Sequence, residues 1–396
     1  MAKRDIRELQ QLQALPLSVK IKKTQLRIRE WVNEYGLDGV YVSFSGGKDS
    51  TVLLHLAREL FPSIKAAFVD TGLEYPEIRN FVRTFDNVDW LKPKKTFKQV
   101  IEDYGYPFIS KEVSERIYYA QKYLTWYKTQ GNLDRPTDYG IIELFFKRES
   151  EERKNAKKEG FPDNVLRAFI NEHNSGTYKI KELFGEASDR KRTAFDFTKW
   201  RWVSACPWMI SNKCCNVMKK SPAHTYHQKT GRNPITAQTA SESRLRTQQW
   251  LRHGCNGFDL KIPTSNPMSF WMEQDVLQYI WQNKIPIASV YGDVVVDYAG
   301  QGDVEGQMSF RDLGGDWELF DSERPLLKTT GVNRTGCMFC GYGCHLEKPG
   351  EGRFEKMKET HPKQYDYIMR PKSEGGLNYK EVIDWLNENG NLHIQY

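Results

Sequence analysis

Six residues, Ser45-Gly46-Gly47-Lys48-Asp49-Ser50, stand between an apolar run over 39–44 and a helical pattern over 49–61, and that placement dictates an α/β unit with an anion-binding turn. The run ends in Ser43 and Phe44, and the helix turns Val52, Leu53, Leu56 and Leu60 to one face. A tight turn from strand to helix leaves the first helical N–H groups without partners and sets the positive end of the helix dipole at the loop. Phosphate oxygens satisfy both. Gly46 and Gly47 let the backbone approach, Ser45 and Ser50 offer hydroxyls, and Lys48 supplies a cation. The spacing differs from a Walker A loop, which has four residues between its first Gly and its Gly-Lys. A bare Gly-Gly-Lys would equally suit a capped helix; the six residues in this setting favour phosphate.

The alternation continues. A helical pattern over 19–35 precedes the loop, and Ala66-Ala67-Phe68-Val69 reads as a second strand ending in Asp70-Thr71-Gly72. A helix over 77–85 and a strand over 88–91 follow, and the pattern persists to about residue 105. Strand, helix and strand in succession require right-handed crossovers, so the expected fold is a doubly wound, mainly parallel α/β sheet. Residues 1–113 form its first half, and 114–199, helical and rich in Lys, Arg, Glu and aromatics, read as an insertion or lid. Residues 200–290 form the second half, with a helical pattern over 269–283. A unit over 291–396 contains a Gly- and Asp-rich loop over 291–317, with a short strand at 294–296, and the last three cysteines.

Of 396 residues 39% are hydrophobic and 28% charged, which excludes a disordered, collagenous or coiled-coil chain. No apolar run nears the roughly 18–20 residues that span a bilayer, and the expectation is a cytoplasmic protein without a membrane partner. The net charge of +7 is compatible with a polyanionic ligand without requiring one. Seven cysteines, an odd and unevenly spread set, point to metal or sulfur chemistry rather than a disulfide framework. Eight scattered histidines offer no hydrolase triad at motif spacing.

The loop 45–50 resembles the SGGxDS signature of the PP-loop ATP pyrophosphatase superfamily, and within it the adenylyl-sulfate and phosphoadenylyl-sulfate reductase family. The resemblance implies a nucleotide site on Ser43, Phe44, Ser45, Gly46, Gly47, Lys48, Asp49 and Ser50, with ATP or another adenine nucleotide as ligand and Mg2+ bridging its phosphates. Residues 68–77 look like the family's DTGxxxPE motif, which places Asp70, Thr71 and Gly72 beside the nucleotide; a simple turn cap on Asp70 is the alternative. Residues 236–246, TAQTASESRLR, are similar to a family stretch of the form GxRxxES followed by Arg, and imply substrate-anion contacts from Glu242, Ser243 and Arg246. Ala237 and Thr239 stand where the family commonly has Gly and Arg. Surface salt bridging of Arg244 and Arg246 is the other reading. The segment from Asn266 to Trp271 with Asp275-Val276 matches a family PxxxWxxxDV stretch, to which a structural role is assigned.

Cys214-Cys215 and the C-x-x-C pair Cys337 and Cys340 resemble the four-cysteine pattern of the family's iron-sulfur members. The implied ligand set for a [4Fe-4S] cluster is Cys214, Cys215, Cys337 and Cys340, with Cys206 and Cys344 as alternates; a four-thiolate zinc site fits the same spacing. Cys255 reads as an isolated buried thiol. The family's reductases carry a nucleophilic cysteine in a Glu-Cys-Gly-Leu-His tail, whereas this chain reads NENGNLHIQY there, and Cys344-His345-Leu346 is only a faint echo.

Lys48, Asp49, Ser50 and Cys344 are thus the catalytic candidates. The resemblance implies an enzyme that adenylates a substrate with ATP, releases pyrophosphate and lets sulfur displace AMP, as in the related DNA phosphorothioation proteins and iron-sulfur tRNA thiolation enzymes. A nucleic-acid substrate, DNA or tRNA, and a sulfur-donor protein such as a cysteine desulfurase are the implied partners. A thiol-dependent reductase of adenylyl sulfates is the second reading, and a nucleotide-sensing or nucleic-acid-binding subunit the third. Tyr118, Tyr119, Lys122, Tyr123, Trp126, Tyr127 and Lys128 would suit a nucleic-acid strand, but the same stripe is a core helix face. The run from Lys147 to Lys158 carries Glu149, Glu151 and Glu152 among its bases and reads as a solvated helix face.

Overall fold

The structure, a computed structural model, describes residues 4–129, 179–180, 182–183, 197–297 and 325–396. The run from Lys147 to Lys158 and the side chains of Trp126, Tyr127 and Lys128 lie outside the described residues.

The pattern expected over 19–35 folds as α1 (Leu17–Tyr35), with Leu17, Lys20, Thr24, Ile28 and Trp31 on its buried face at spacings of three and four. Next come β1 (Val40–Ser43), α2 (Lys48–Leu60), β2 (Ala66–Val69), α3 (Pro76–Val82) and β3 (Val88–Leu91), each within a few residues of its expected range. Val40, Tyr41 and Val42 are all buried, as a strand covered on both faces must be. The chain later adds α4 (Ser221–Thr230), β4 (Asn233–Ile235), α5 (Arg244–His253), β5 (Asn256–Gly257), β6 (Thr264–Ser265) and α6 (Glu273–Asn283). The sheet order is β3-β2-β1-β4-β6-β5.

Every pairing is parallel except the edge pair β5 and β6, and the register sets Val42 beside Ala66 on one side and Ile235 on the other. The order reverses at β1, which makes this a doubly wound α/β sheet, a class in which ligands bind at the strand carboxyl ends beside such a reversal. The short strand expected at 294–296 is present as β7 (Val294–Val296), antiparallel to β8 (Leu327–Thr329).

The PxxxWxxxDV segment fastens α1 to α6. Trp271, fully buried, donates its Nε1–H to Thr24 Oγ1 at 2.8 Å. The buried Lys20 ammonium sits 2.6 Å from Asp275 Oδ2, which also accepts the Met272 backbone N–H at 2.7 Å and so caps α6. The helix therefore starts at Glu273, several residues after the apolar pattern begins at 269. Removing either partner of such a buried pair strands a charge, at a cost of about 3–5 kcal/mol.

The chain divides into two compact units, each made of two segments: Met1–Lys94 with Lys219–Cys337, and Lys95–Met218 with Met338–Tyr396. The sheet just described belongs to the first. In the second, the strands Phe108–Ile109 and Gly341–Tyr342 pair in parallel, and the helix Lys111–Thr129 carries the expected aromatic stripe. Tyr119 and Tyr123 of that stripe are buried, so part of it is core. Tyr379, on the helix Tyr379–Gly390, is fully buried and donates to the Phe339 carbonyl at 2.6 Å; Tyr106 donates to that of Leu377 at 2.9 Å. These bonds hold the segment after Met338 on the core of its unit.

Candidate active site

The loop after β1 closes on itself through its own hydroxyls. Ser50 Oγ lies 3.0 Å from Ser45 Oγ, accepts the Ser45 N–H at 3.2 Å and donates to the Gly47 carbonyl at 2.9 Å. Gly46 adopts φ 72°, and a Cβ there would lie 2.7 Å from Val82 Cγ2 and 2.8 Å from Ile78 Cγ2. Only glycine satisfies both the left-handed backbone and the close approach of α3.

Lys48 opens α2 and is buried despite its charge. Its Nζ donates to the Asn333 carbonyl at 2.7 Å and pairs with Glu273 Oε1 at 3.0 Å. Its backbone N–H donates to the Tyr291 hydroxyl at 3.2 Å, and that hydroxyl is 2.6 Å from Thr335 Oγ1. Burial raises the Tyr291 pKa, with the hydrogen bonds to Thr335 and Lys48 opposing, so the hydroxyl is neutral at physiological pH. Segment 331–336 therefore lies against the loop, and its carbonyl and side-chain oxygens meet groups that a phosphate would otherwise meet.

A cleft of about 190 Å³ opens beside the loop, walled by Ser43 at the end of β1 with Phe44 and Ser45 after it, by Phe68 and Val69 of β2, and by Glu74 and Ile78. Lys219, Thr335 and Gly336 complete its lining. This is smaller than the roughly 300–1,000 Å³ usual for small-molecule sites. The expected contacts Asp70 and Thr71 lie in the turn after β2 and are not among the residues that line the cleft. Asp70 accepts the Gly72 N–H at 3.3 Å and pairs with Arg79 at 2.9 Å, while Thr71 donates its hydroxyl to Glu74 at 2.6 Å. Asp70 thus shapes its turn, the alternative left open by its sequence.

Glu242 ion-pairs with Arg246 and, at 2.6 Å, with Arg334. Burial, and next the charge of Arg334, lower the Arg246 pKa, while Asp49 works the other way. Asp49 of the loop therefore acts on Arg246 electrostatically. Ser243 serves the helix instead, since its hydroxyl accepts the Arg246 N–H and caps α5.

The second unit holds Cys206, Cys214, Cys215, Cys340 and Cys344, and Cys337 is the last residue of the first unit. Burial raises the Cys340 pKa, and the charge of Cys215 adds to the rise. Tyr342 is likewise raised by burial, then by Cys214, Cys215 and Cys340, so these three thiols share one neighbourhood. The donor set suits a thiolate-bound metal, but among the described residues no three Cys, His, Asp or Glu side chains are grouped to hold one ion.

Cys344 does not have the character of a nucleophile. It is buried, its thiol donates to the Gly341 carbonyl at 2.8 Å, and burial pushes its pKa up to about 12. Cys206 is also buried and pushed up to about 12 by burial. A thiol held protonated attacks slowly, because the thiolate is the reactive species.

Glu74, Lys219, Glu273, Tyr291, Asn333, Arg334 and Thr335 are not singled out by the sequence. For Arg334 and Thr335 a signal exists, because they lie just before Gly336 and the C-x-x-C pair. Tyr291 and Glu273 carry none, because only the fold brings them to Lys48.

A profile of the phosphoadenosine phosphosulfate reductase domain matches residues 39–160 and 167–340. Sulfate adenylyltransferase subunit 2 of Shewanella sp. (strain W3-18-1) is 29% identical over 163 residues, 40% of this chain and 48% of that protein. An uncharacterized protein of Methanocaldococcus jannaschii is 30% identical over 138 residues, 33% of this chain and 32% of its own. The chain spans about half the length of the sulfate adenylyltransferase relatives it matches. The phosphoadenylyl-sulfate reductase of Candida auris, solved as a phosphate complex, aligns with 79% of this chain and 96% of its own at 13% identity, with a TM-score of 0.32.

Proposed function

The chain belongs to the phosphoadenosine phosphosulfate reductase domain family, and from that membership we propose that it binds Mg-ATP and transfers its adenylyl group to an oxygen of a second substrate, releasing pyrophosphate, after which a sulfur nucleophile displaces AMP from that oxygen. The observation that carries this reading is the position of Lys48. It opens α2 at the carboxyl end of β1, where the sheet order reverses, beside a cleft lined by the ends of two strands. A buried ammonium and a helix N-terminus stabilise the charge that develops on departing pyrophosphate. Similarity to proteins named sulfate adenylyltransferase subunit 2 supports nucleotidyl transfer from ATP and suggests that a partner subunit assists.

The reading includes an iron-sulfur cluster on thiols of the second unit, drawn from Cys214, Cys215 and Cys340, which would hold or deliver sulfur as in the DNA phosphorothioation branch. No step of the adenylation passes through it. The sulfur acceptor is a nucleic acid in this reading, and a cysteine desulfurase the donor. Reduction of adenylyl sulfates is the weaker alternative, because Cys344, the thiol nearest the reductase tail in pattern, is buried and protonated.

The test is product analysis on protein purified without oxygen, incubated with Mg-ATP, or with each adenylyl sulfate plus a thiol reductant. AMP and pyrophosphate from ATP, without sulfite from either ester, are expected. Sulfite release would overturn the reading and make the chain a reductase.

A further inference from the structure

We propose that residues 333–336 form a strap that holds the phosphate loop closed with the chain's own oxygens, and that an incoming polyphosphate must displace it. The proposal rests on the phosphate-binding reading above and adds to it a gated step, the opening of the site.

Three donors at the start of α2 are engaged by the chain itself. The Gly47 N–H donates to Ser45 Oγ at 3.3 Å, the Lys48 N–H to the Tyr291 hydroxyl at 3.2 Å, and the Lys48 ammonium to the Asn333 carbonyl at 2.7 Å. The Tyr291 hydroxyl in turn lies 2.6 Å from Thr335 Oγ1. The strap thus meets the loop through a carbonyl at one point and, by way of Tyr291, through a hydroxyl at the next. Both are neutral oxygens, whereas a phosphate oxygen is charged and makes roughly twice as strong a hydrogen bond to the same donors. A polyphosphate is therefore the class of ligand that can take the strap's place.

The closed strap also accounts for the size of the cleft. Thr335 and Gly336 form part of its lining, and its volume of about 190 Å³ is below the roughly 300–1,000 Å³ of small-molecule sites. Moving the strap outward widens the cleft from that side.

The chain is built to bend just after Val332. Before that point Gly331 donates its N–H to the Tyr291 carbonyl at 2.8 Å, Val332 donates to the Val290 carbonyl at 3.1 Å, and the Thr329 hydroxyl donates to the Val332 carbonyl at 3.0 Å. From Asn333 to Gly336 no backbone–backbone hydrogen bond fixes the chain among the described residues. A Cβ at Gly336 would meet nothing within 4 Å, so open space adjoins the strap there. The remaining hold, the pair of Arg334 with Glu242, has its arginine 62% exposed and contributes little. A segment held this way belongs to the part of a fold that opens first. Cys337 follows the strap directly, so its displacement carries the occupancy of the phosphate site along the chain to the first residue of the C-x-x-C pair.

Trypsin reads the strap, because the bond after Arg334 lies in its middle and is cut only when the chain around it is free to enter the protease. Cleavage after Arg334 is to be followed by mass spectrometry on the full-length chain, alone and with saturating Mg-pyrophosphate, Mg-ATP or adenosine, with binding of each measured by calorimetry. Mg-pyrophosphate is expected to speed the cut about tenfold by raising the open population, and adenosine to leave it unchanged. Thr335→Val keeps the side-chain shape and removes the hydroxyl that meets Tyr291. It is expected to bind Mg-pyrophosphate about fivefold more tightly, the worth of one ordinary hydrogen bond, with adenosine unchanged.

Cleavage that is unchanged or slowed at saturating Mg-pyrophosphate would overturn the strap, since the segment would then stay in place or close over its ligand. Weaker Mg-pyrophosphate binding in Thr335→Val would also overturn it and make the hydroxyl a ligand contact. Mg-ATP binding that leaves the cut unchanged would remove the strap while the ATP reading stands. Opening by Mg-pyrophosphate in a protein that binds no Mg-ATP would do the reverse.

Discussion

Lys48 Nζ lies 3.0 Å from Glu273 Oε1, so the buried cation of the loop is already paired with a carboxylate of its own chain. The two ends differ: the Lys48 side chain is 3% exposed and that of Glu273 54%, which lets the carboxylate swing away while the ammonium stays. Glu273→Gln is therefore expected to tighten Mg-ATP binding about three- to fivefold, the value of a half-exposed ion pair of roughly 1 kcal/mol. Calorimetry decides the sign, and weaker binding would instead make Glu273 a direct ligand contact.

Tyr291 is fastened on both sides of its hydroxyl, to the Lys48 N–H and to Thr335. Tyr291→Phe keeps the ring and strands both partners, and should lower stability by about 1–2 kcal/mol. Urea unfolding measures it; an unchanged midpoint would mean that water replaces the hydroxyl.

Gly46 and Gly231 have nearly equal φ, 72° and 70°, but only Gly46 has neighbours in the way of a Cβ. Gly231→Ala should cost about 1 kcal/mol from backbone strain, and Gly46→Ala about 2 kcal/mol more, from displacing Val82 and Ile78. Equal losses in denaturation would mean that α3 yields freely to the added methyl.

Asp89 is held below its ordinary pKa: burial pushes it upward, but hydrogen bonds from Tyr226 at 2.7 Å and Lys65 at 3.2 Å prevail. A depressed folded value means that the stabilisation is complete above the unfolded pKa of about 3.9 and disappears as pH falls through the folded value. Tyr226→Phe should therefore be less stable than the parent near neutrality, by about 1 kcal/mol or less for so exposed a carboxylate, with the gap narrowing towards pH 3. A gap independent of pH would show that the tyrosine acts only by packing.

Protein prepared without oxygen is expected to contain iron and acid-labile sulfide, and Cys340→Ser to lose both while Cys255→Ser retains them. Zinc without sulfide would identify a four-thiolate zinc site instead.

Local features carried most of the sheet. The buried run at Val40 to Val42, the Gly turn and the helical spacing after it are effects of neighbours in the chain, and they are readable because period and turn chemistry act at short range. The doubly wound, mainly parallel class also followed from crossover handedness, whereas the strand order itself was not legible. What surrounds Lys48 did not. Glu273, Tyr291 and Asn333 are common residue types in stretches without a motif, and they matter only because α6 and the 331–336 segment return to the loop. Helix α6 begins later than its apolar pattern because Asp275 caps Met272, a side-chain bond that hydrophobic spacing does not encode. The burial of Cys344 was equally hidden, since a thiol's protonation depends on what packs around it.

The pairing of Val42 with both Ala66 and Ile235 has a consequence for how the chain is made. During synthesis the first three strands can associate early, but the other edge of β1 finds its partner only when the ribosome has passed Ile235. Until then the central strand of the finished sheet is a bare apolar edge, able to pair with any strand that it meets. Slow translation through the intervening segment, or a shortage of chaperones that shield such edges, would therefore favour aggregation over folding, and a yield that rises with holdase supply is the cellular mark of this topology.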